Sequence, residues 1–520
     1  MTTSTSQDAP PGAASPDPRR YAPLPGPLAG ALVFFASGSV LVLEILAVRL
    51  LAPFVGVTLE TYTAIIGVVL AGIAFGTWAG GRVADLIEPR RMLGPVLVAG
   101  GLLALATLPL VRGLGELALA RADASAILLL ALFGFFPPAA VLSAISPTVV
   151  KLQLASLRET GSVVGRLSAL GTAGALVGTF VTGFALVAEL GATPIVLALG
   201  GTLIAAGIAL GVLLAASGRR RVGAETLGAV VVALALAGIG VAVGDRCQVE
   251  SAYYCARVEA DPGRPSGRLL RLDTLRHSYV DLADPRHLEF DYARLIGDTI
   301  DVMRPAREPL DALHVGGGGF TLPRYLAATR PGSRSLVLEL DPALPALARE
   351  RLGLRTGPAL RVRTGDARVA LGEARRGAFD LVVGDAFGGV AVPWHLTTLE
   401  VVREIRSALR PRGVYALNVI DFPPADFARA EARTLARGFR HVALVAPPEL
   451  LDGSSGGNFV LLASQAPLPL ERIRGRISGR GTREVVAAGR RLERFAGGAA
   501  VLTDEYAPVD QLLTPGSRGG

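Results

Sequence analysis

The stretch LHVGGGGFTLPRYL, Leu313 to Leu326, decides how the second half of this chain is read. A short apolar run ends in four consecutive glycines, followed by a Thr, a Pro and a helix-like segment. Glycine lets a backbone approach a ligand closely and take up positive φ. Outward from this point the pattern repeats. Strands are expected at 311–316 (DALHVG), 335–340 (SLVLEL), 360–365 (LRVRTG), 379–385 (FDLVVGD), 413–419 (GVYALNV), 441–446 (HVALVA) and 458–463 (NFVLLA), with helical patterns between most of them. This alternation predicts a doubly wound α/β domain with a mainly parallel sheet. Just upstream, YYCARVEA and GRLLRLDT around the turn DPGRPSG predict a small β-unit.

Such folds bind ligands beyond the carboxyl ends of their strands. The glycines end the first expected strand, Glu339 the second, Asp366 the third and Asp385 the fourth. Any one of these acids alone reads as a solvated turn residue. Three on one rim, beside a glycine run, predict an adenosine-type pocket. Glu339 lies 21 residues after Gly318, where an acid can accept hydrogen bonds from both ribose hydroxyls. The glycines do not form a phosphate-type GxGxxG, because Thr321 holds the third glycine position. That disfavours a nicotinamide-dependent enzyme.

The first half has another character. The 520 residues are 51% hydrophobic, with a mean hydropathy of +0.46. The apolar residues concentrate in seven stretches: 27–51, 61–81, 93–111, 124–148, 163–187, 193–216 and 223–243. Each approaches the roughly 20 apolar residues that a bilayer core demands. Frequent Gly and Ala suit close helix packing in lipid. Pro137 and Pro138 are expected to kink the fourth span. Glu44, within the first span near Arg49, is expected to be a structural charge rather than part of a transport path. Residues 1–26, rich in Ser, Pro and Ala, are expected to be disordered and are too polar for a signal peptide. The expected organisation is therefore a disordered segment (1–26), a membrane domain (27–243), a linker and small β-unit (244–310), a Rossmann-like domain (311–465) and a helical extension with a tail (466–520). The net charge of +8 is almost all arginine, Lys151 being the only lysine. No arginine cluster interleaves with aromatics, so nucleic acid is not an expected partner.

Loop charges set the expected orientation. One set of loops holds Arg82, Arg90 and Arg91, then Lys151, Arg158 and Arg166, then Arg219, Arg220 and Arg221. The other holds Glu60, then Arg112 and Arg121 balanced by Glu116 and Asp123, then Glu189. The arginine-rich set, with Arg19 and Arg20, is expected to be cytoplasmic. Seven spans from that start leave the second half outside the cytoplasm. The only cysteines, Cys247 and Cys255, fall just past the last span, where an oxidising compartment would join them. Adenosyl compounds, however, are made in the cytoplasm.

LHVGGGGFTLPRYL, VLELDP, RTGDAR and FDLVVGDAFGGVAVPWHLTTLEVVREI together resemble the spermidine synthase (polyamine aminopropyltransferase) family. The whole chain is similar to that family's membrane-bound branch, in which a transporter-like helical half is fused to a synthase-like half. The resemblance covers residues 250–465 well and the rest more loosely. It implies a small β-domain followed by a methyltransferase-like Rossmann domain. It also implies decarboxylated S-adenosylmethionine or S-adenosylmethionine as co-substrate, a small amine or polyamine as acceptor, and no metal. The bilayer is the other expected partner, and a homodimer is left open. Carried over position by position, Gly316, Gly317 and Gly318 lie against the donor, with Gly319 closing the run. Glu339 holds the ribose, Asp366 and Ala367 address the adenine, and Asp385 is the catalytic acid–base group. His277 stands roughly where the family has a Gln near the ligand. Tyr292 aligns with a Tyr of the acceptor site, and His395 follows the catalytic loop and faces the acceptor.

Two positions depart from the family pattern. An Asp that grips the donor's amine is replaced by Gly319, and an Asp that holds the polyamine is replaced by Gly388. Asp421, Asp504 and Glu505 are candidates for replacement charge. The missing carboxylates keep two other readings in play: an S-adenosylmethionine-dependent methyltransferase, and a membrane transporter or sensor that binds a nucleoside or polyamine without turnover.

Overall fold

The computed structural model describes residues 23–56, 59–119, 124–154, 160–215, 224–242, 246–389 and 391–513. Most of the segment expected to be disordered lies outside them. So do the loop charges Arg19, Arg20, Arg121, Asp123, Arg158 and Arg219 to Arg221. The chain divides into two compact units, Met1–Asp245 and Arg246–Gly520.

Among the described residues of the first unit, six helices are long and apolar enough to cross a membrane: Gly26–Val55, Glu60–Leu86, Pro89–Leu117, Ser125–Gln153, Thr160–Glu189 and Ala192–Leu214. Small residues bring their backbones together. A Cβ on Gly174 would stand 2.0 Å from the carbonyl oxygen of Phe34, and one on Gly76 would stand 1.9 Å from that of Ala140. The seventh expected span is also helical, Ala224–Ala242, but its apolar part, Val230–Ala242, is shorter. The fourth span does not break at its prolines. The helix Ala124–Ser143 runs through Pro137 and Pro138 and is interrupted only at Ala144, before Ile145–Gln153. Arg112 is not a loop charge. It is buried and donates to the carbonyl of Gly240 and to Thr193 Oγ1 at 2.7 Å. The arginine-poor set of loops is thus poorer than the sequence suggests.

The second unit opens with an antiparallel four-stranded meander of β1 (Val249–Glu250), β2 (Cys255–Asp261), β3 (Arg264–Leu272) and β4 (Leu275–Asp281). The expected turn DPGRPSG is tighter than its seven letters suggest. Asp261 Oδ1 accepts from Gly263 N at 2.8 Å, and the chain is already in β3 at Arg264. The third long strand, β4, has no clean alternation of apolar and polar residues and was not expected.

The main sheet holds β5 (Asp311–Val315), β6 (Arg334–Glu339), β7 (Leu360–Thr364), β8 (Phe379–Gly384), β9 (Leu409–Asp421), β10 (His441–Ala446), β11 (Gly457–Ser464) and β12 (Val485–Ala488). Its order is β12-β10-β11-β9-β8-β5-β6-β7. Strands β5 to β9 pair in parallel, whereas β9–β11, β11–β10 and β10–β12 pair antiparallel. The strand β12 comes from the segment expected to be a helical extension and tail. Both faces are covered. Leu313 and Val315 point into a core with Leu417, Phe427 and Leu435, and Ala312 points into a second core with Ile296, Ile300 and Leu326. The strand order reverses between β5 and β8, and at such a switch point the carboxyl ends leave a crevice.

Candidate active site

Three strand ends are tied together at that crevice. Gly316 N donates to Leu338 O at 2.9 Å, and Asp385 N donates to Val315 O at 2.8 Å. Gly316 has φ +97°, and a Cβ there would stand 2.2 Å from the carbonyl oxygen of Asp385. Only glycine lets the loop pass beneath the end of β8. The fourth glycine serves a different neighbour. Gly319 N donates to Ser278 Oγ at 3.0 Å, and a Cβ on Gly319 would stand 2.7 Å from Ser278 Cβ. Strand β4 of the small β-unit is packed where a side chain would project. The run of bare backbone is therefore shared between the crevice and the packing of β4.

A first cavity is lined by Tyr254, His277, Gly316 to Gly318, Glu339, Asp366, Ala367, Asp385, Phe387 and His395, among others. Glu339 is buried at its floor. Its Oε2 accepts from Gly317 N at 2.8 Å and Gly318 N at 3.2 Å, and its Oε1 accepts from Asp341 N at 2.9 Å. Burial raises its pKa, and the three amide donors oppose that rise. Asp366 caps the helix Ala367–Gly372 by accepting from Arg368 N at 2.7 Å, and His395 Nε2 stands 3.6 Å from its Oδ2. His395, expected either to face the acceptor or to be a solvated loop residue, lines the first cavity beside Asp366. His277, on β4, pairs through Nδ1 with Ser278 Oγ at 2.9 Å. Burial lowers its pKa to about 4, so the ring is neutral at pH 7.

A second cavity opens on the other side of Asp385. It is lined by Arg276, His277, Glu289, Phe290, Asp291, Tyr292, Asn418 and Asn458, among others. Asp385 and His277 line both cavities. Asp385 Oδ1 accepts from Asn418 Nδ2 at 2.8 Å, and its Oδ2 accepts from the Tyr292 hydroxyl at 3.2 Å. Burial pushes its pKa up to about 6, against the pull of these two donors. Burial, and then the charge of Asp385, hold the Tyr292 pKa well above its usual value, so Tyr292 remains a donor. At pH 7 Asp385 is mostly ionised and only weakly acidic, which suits proton acceptance.

Sequence reasoning did not find Glu289, Asn418 or Asn458. Glu289 pairs with His287 Nε2 at 3.0 Å and lies 4.0 Å from Arg294 Nη2. The contacts of Asn418 and Asn458 run between strands distant in sequence, whereas Glu289 has local partners and joins them only as part of the cavity wall. The proposed replacement acids do not line either cavity. Asp421 is fully buried and accepts from Phe422 N at 2.7 Å and Ala428 N at 2.8 Å. Asp504 pairs with Arg368 at 2.9 Å, and Glu505 is exposed. Position 319 is closed by Ser278, but a Cβ on Gly388 would meet nothing within 4 Å. Cys247 and Cys255 are joined, with S–S 2.14 Å. Among the described residues, no group of three or more His, Cys, Asp or Glu could hold a metal ion.

No family model matches the chain. A polyamine aminopropyltransferase of Vibrio vulnificus is 30% identical over 194 residues, which is 37% of this chain and 61% of that protein. A polyamine aminopropyltransferase of Chromobacterium violaceum is 27% identical over 142 residues, 27% of this chain and 53% of that protein. The chain thus spans less than two thirds of the length of either relative. Among solved structures, a probable spermidine synthase from Corynebacterium glutamicum is 28% identical, with a TM-score of 0.46, covering 49% of this chain and 95% of that one. The resemblance read from the glycine loop and the strand-end acids is thus matched by relatives that carry the polyamine aminopropyltransferase name, over part of the chain.

Proposed function

We propose that this chain is a membrane-bound transferase that moves an alkyl group from an adenosyl sulfonium donor to an amine. The leading assignment is an aminopropyl group from decarboxylated S-adenosylmethionine. One observation carries the reading: Asp385 stands between two cavities and is held by Asn418 on one oxygen and Tyr292 on the other. The first cavity suits an adenosyl group, with Glu339 toward the ribose and Asp366 with Ala367 and His395 toward the base. The second suits an amine. Its nitrogen lone pair attacks the carbon next to sulfur, the C–S bonding pair returns to sulfur, and a neutral thioether leaves without an acid. The amine must be neutral to attack, yet its conjugate acid has a pKa of about 10. Asp385 takes the proton, and alignment of the two reactants across the shared wall supplies most of the remaining rate.

The acceptor is expected to be an amine with a second cationic end. Glu289 and Asp291, which share Arg294 as a counter-charge at 4.0 and 2.8 Å, give the second cavity carboxylates that position 388 lacks. Methyl transfer is the second reading, favoured by Ser278 closing position 319, where a carboxylate for the donor's amine would sit. Incubation of the purified full chain with S-adenosylmethionine or its decarboxylated form, each with 1,4-diaminobutane, n-butylamine and spermidine, separates the two by product mass. An aminopropylated diamine supports the first reading, and a methylated amine the second. Binding without any product supports a transporter or sensor.

This reading counts Ala224–Ala242, whose apolar part is short, as a seventh crossing, because six crossings from a cytoplasmic start would leave the α/β unit in the cytoplasm; with seven, the unit lies outside and Cys247 and Cys255 are oxidised. The burial of Arg112 and the lysine and arginine content of the opposite loops support that orientation.

A further inference from the structure

The bridged loop between Cys247 and Cys255 reaches both rims of the first cavity. It reverses at Ser251–Tyr254, where Ser251 N donates to Tyr254 O at 3.0 Å, and where Tyr253 N and Tyr254 N both donate to Ser251 Oγ at 3.1 Å. The Ser251 hydroxyl itself donates to Asp341 Oδ2. Asp341 is the residue whose amide holds Glu339 Oε1, so this contact anchors the loop to the rim that carries Glu339. On the opposite rim the Tyr254 hydroxyl donates to Phe387 O at 2.7 Å, two residues beyond Asp385. Tyr254 and Phe387 both line the cavity. Tyr254 is adjacent to the bridged Cys255, and Cys255 N is itself fixed by Asp273 Oδ1 at 3.0 Å.

We propose that the Cys247–Cys255 loop is a strap across the first cavity. In it Tyr254 positions the Asp385–Gly389 loop, the bridge holds Tyr254 in place, and reduction of the bridge weakens binding in the cavity. Tyr254 acts through the loop that carries Asp385 and is a positioning residue. The chemical step is thiol–disulfide exchange. An external dithiol gives two electrons and two protons to the bridge, becomes a disulfide itself, and leaves Cys247 and Cys255 as free thiols. The competing force is the short β1–β2 ladder, Val249 opposite Ala256 and Glu250 opposite Cys255, which could hold the hairpin alone. Two residue pairs are a weak clamp compared with a covalent closure of the same loop.

The identity of the ligand rests on the adenosyl reading above, so the test has two arms. In the first, calorimetry on the full chain in detergent measures methylthioadenosine binding by the oxidised protein, the reduced protein, the Cys247→Ser/Cys255→Ser double variant and Tyr254→Phe. Reduction is expected to weaken binding about tenfold, the size of one lost buried hydrogen bond. The double variant should match the reduced protein and ignore reductant, and Tyr254→Phe should bind as weakly with its bridge intact. In the second arm, amide exchange without ligand should quicken at residues 385–389 on reduction, and in Tyr254→Phe. Equal affinity and equal exchange in the oxidised and reduced proteins would overturn the strap. If the oxidised protein binds no methylthioadenosine, the adenosyl reading fails, and the exchange arm alone decides the strap.

Discussion

Asn418 Nδ2 donates to Asp385 Oδ1 at 2.8 Å, and the carbonyl of the same Asn418 accepts from Asn458 Nδ2 at 2.9 Å. The chain of bonds crosses three neighbouring strands, β8, β9 and β11. It fixes the plane of the carboxylate and leaves Oδ2 to Tyr292 and to the second cavity. A base held this way loses little orientation freedom when a substrate nitrogen arrives.

Asp385 should limit stability at neutral pH. Its folded pKa is about 6, above the ordinary 3.8. Between those values the native state keeps a proton that the unfolded state has released, so stability falls as pH rises through that window and the cost is complete above it. At about 1.4 kcal/mol per unit, the burden at pH 8 is at most about 3 kcal/mol. Asp385→Asn should therefore unfold at a higher temperature than wild type at pH 8 and at a similar one near pH 4. A lower midpoint at pH 8 would contradict the buried-carboxylate account.

Glu339→Gln should cost affinity in the first cavity. Three backbone amides donate to the carboxylate, and an amide side chain turns one acceptor into a donor facing them. Calorimetry with methylthioadenosine should show a loss of about tenfold or more, as expected for a mismatched buried hydrogen bond. Unchanged affinity would remove Glu339 from the site.

Gly319 and Gly388, the two positions read from the resemblance as lacking an acid, should respond differently. Gly319→Ala drives a Cβ to 2.7 Å from Ser278 Cβ and should cost about 1–3 kcal/mol of stability, as overpacking does. Gly388→Asp meets nothing within 4 Å. It should leave the unfolding midpoint almost unmoved and lower the KM for 1,4-diaminobutane. Thermal unfolding and steady-state kinetics check the pair, and equal destabilisation by both would contradict the packing argument.

A reporter fused after Gly520 should behave as exported. An impermeant thiol reagent applied to intact cells should label Cys247 and Cys255 only after external reduction. A reporter active only in the cytoplasm would reverse the orientation and make the chain a cytoplasmic enzyme tethered to the membrane.

The positions of seven main-sheet strands along the chain, the glycine loop and the strand-end acids at 339, 366 and 385 were legible in the sequence because each is a local pattern of turn chemistry and apolar period. What escaped has a different origin. The strand β4 carries LRHSYVD, whose burial is set by the glycine loop packed on it rather than by its own alternation. Glu289, Asn418 and Asn458 gain meaning only when β8, β9 and β11 stand side by side with the helix Asp291–Val302. The surroundings of His395 were not legible for a related reason. A three-residue turn, Trp394–Leu396, directs it back toward Asp366, and loop sequence carries little information about such a reversal.

Release of methylthioadenosine from decarboxylated S-adenosylmethionine, with 1,4-diaminobutane as acceptor, decides whether Asp385 is the base of an amine alkylation. It should be measured on the full chain and on Asp385→Asn, with methylthioadenosine affinity measured in parallel. Wild type should release the thioether. Asp385→Asn should be slower by about a hundredfold or more, the usual contribution of a positioned general base, while its affinity for methylthioadenosine stays within about twofold. Undiminished release by Asp385→Asn, or none by a wild type that binds methylthioadenosine, would contradict the assignment of Asp385 as the base of an amine-alkylating transferase.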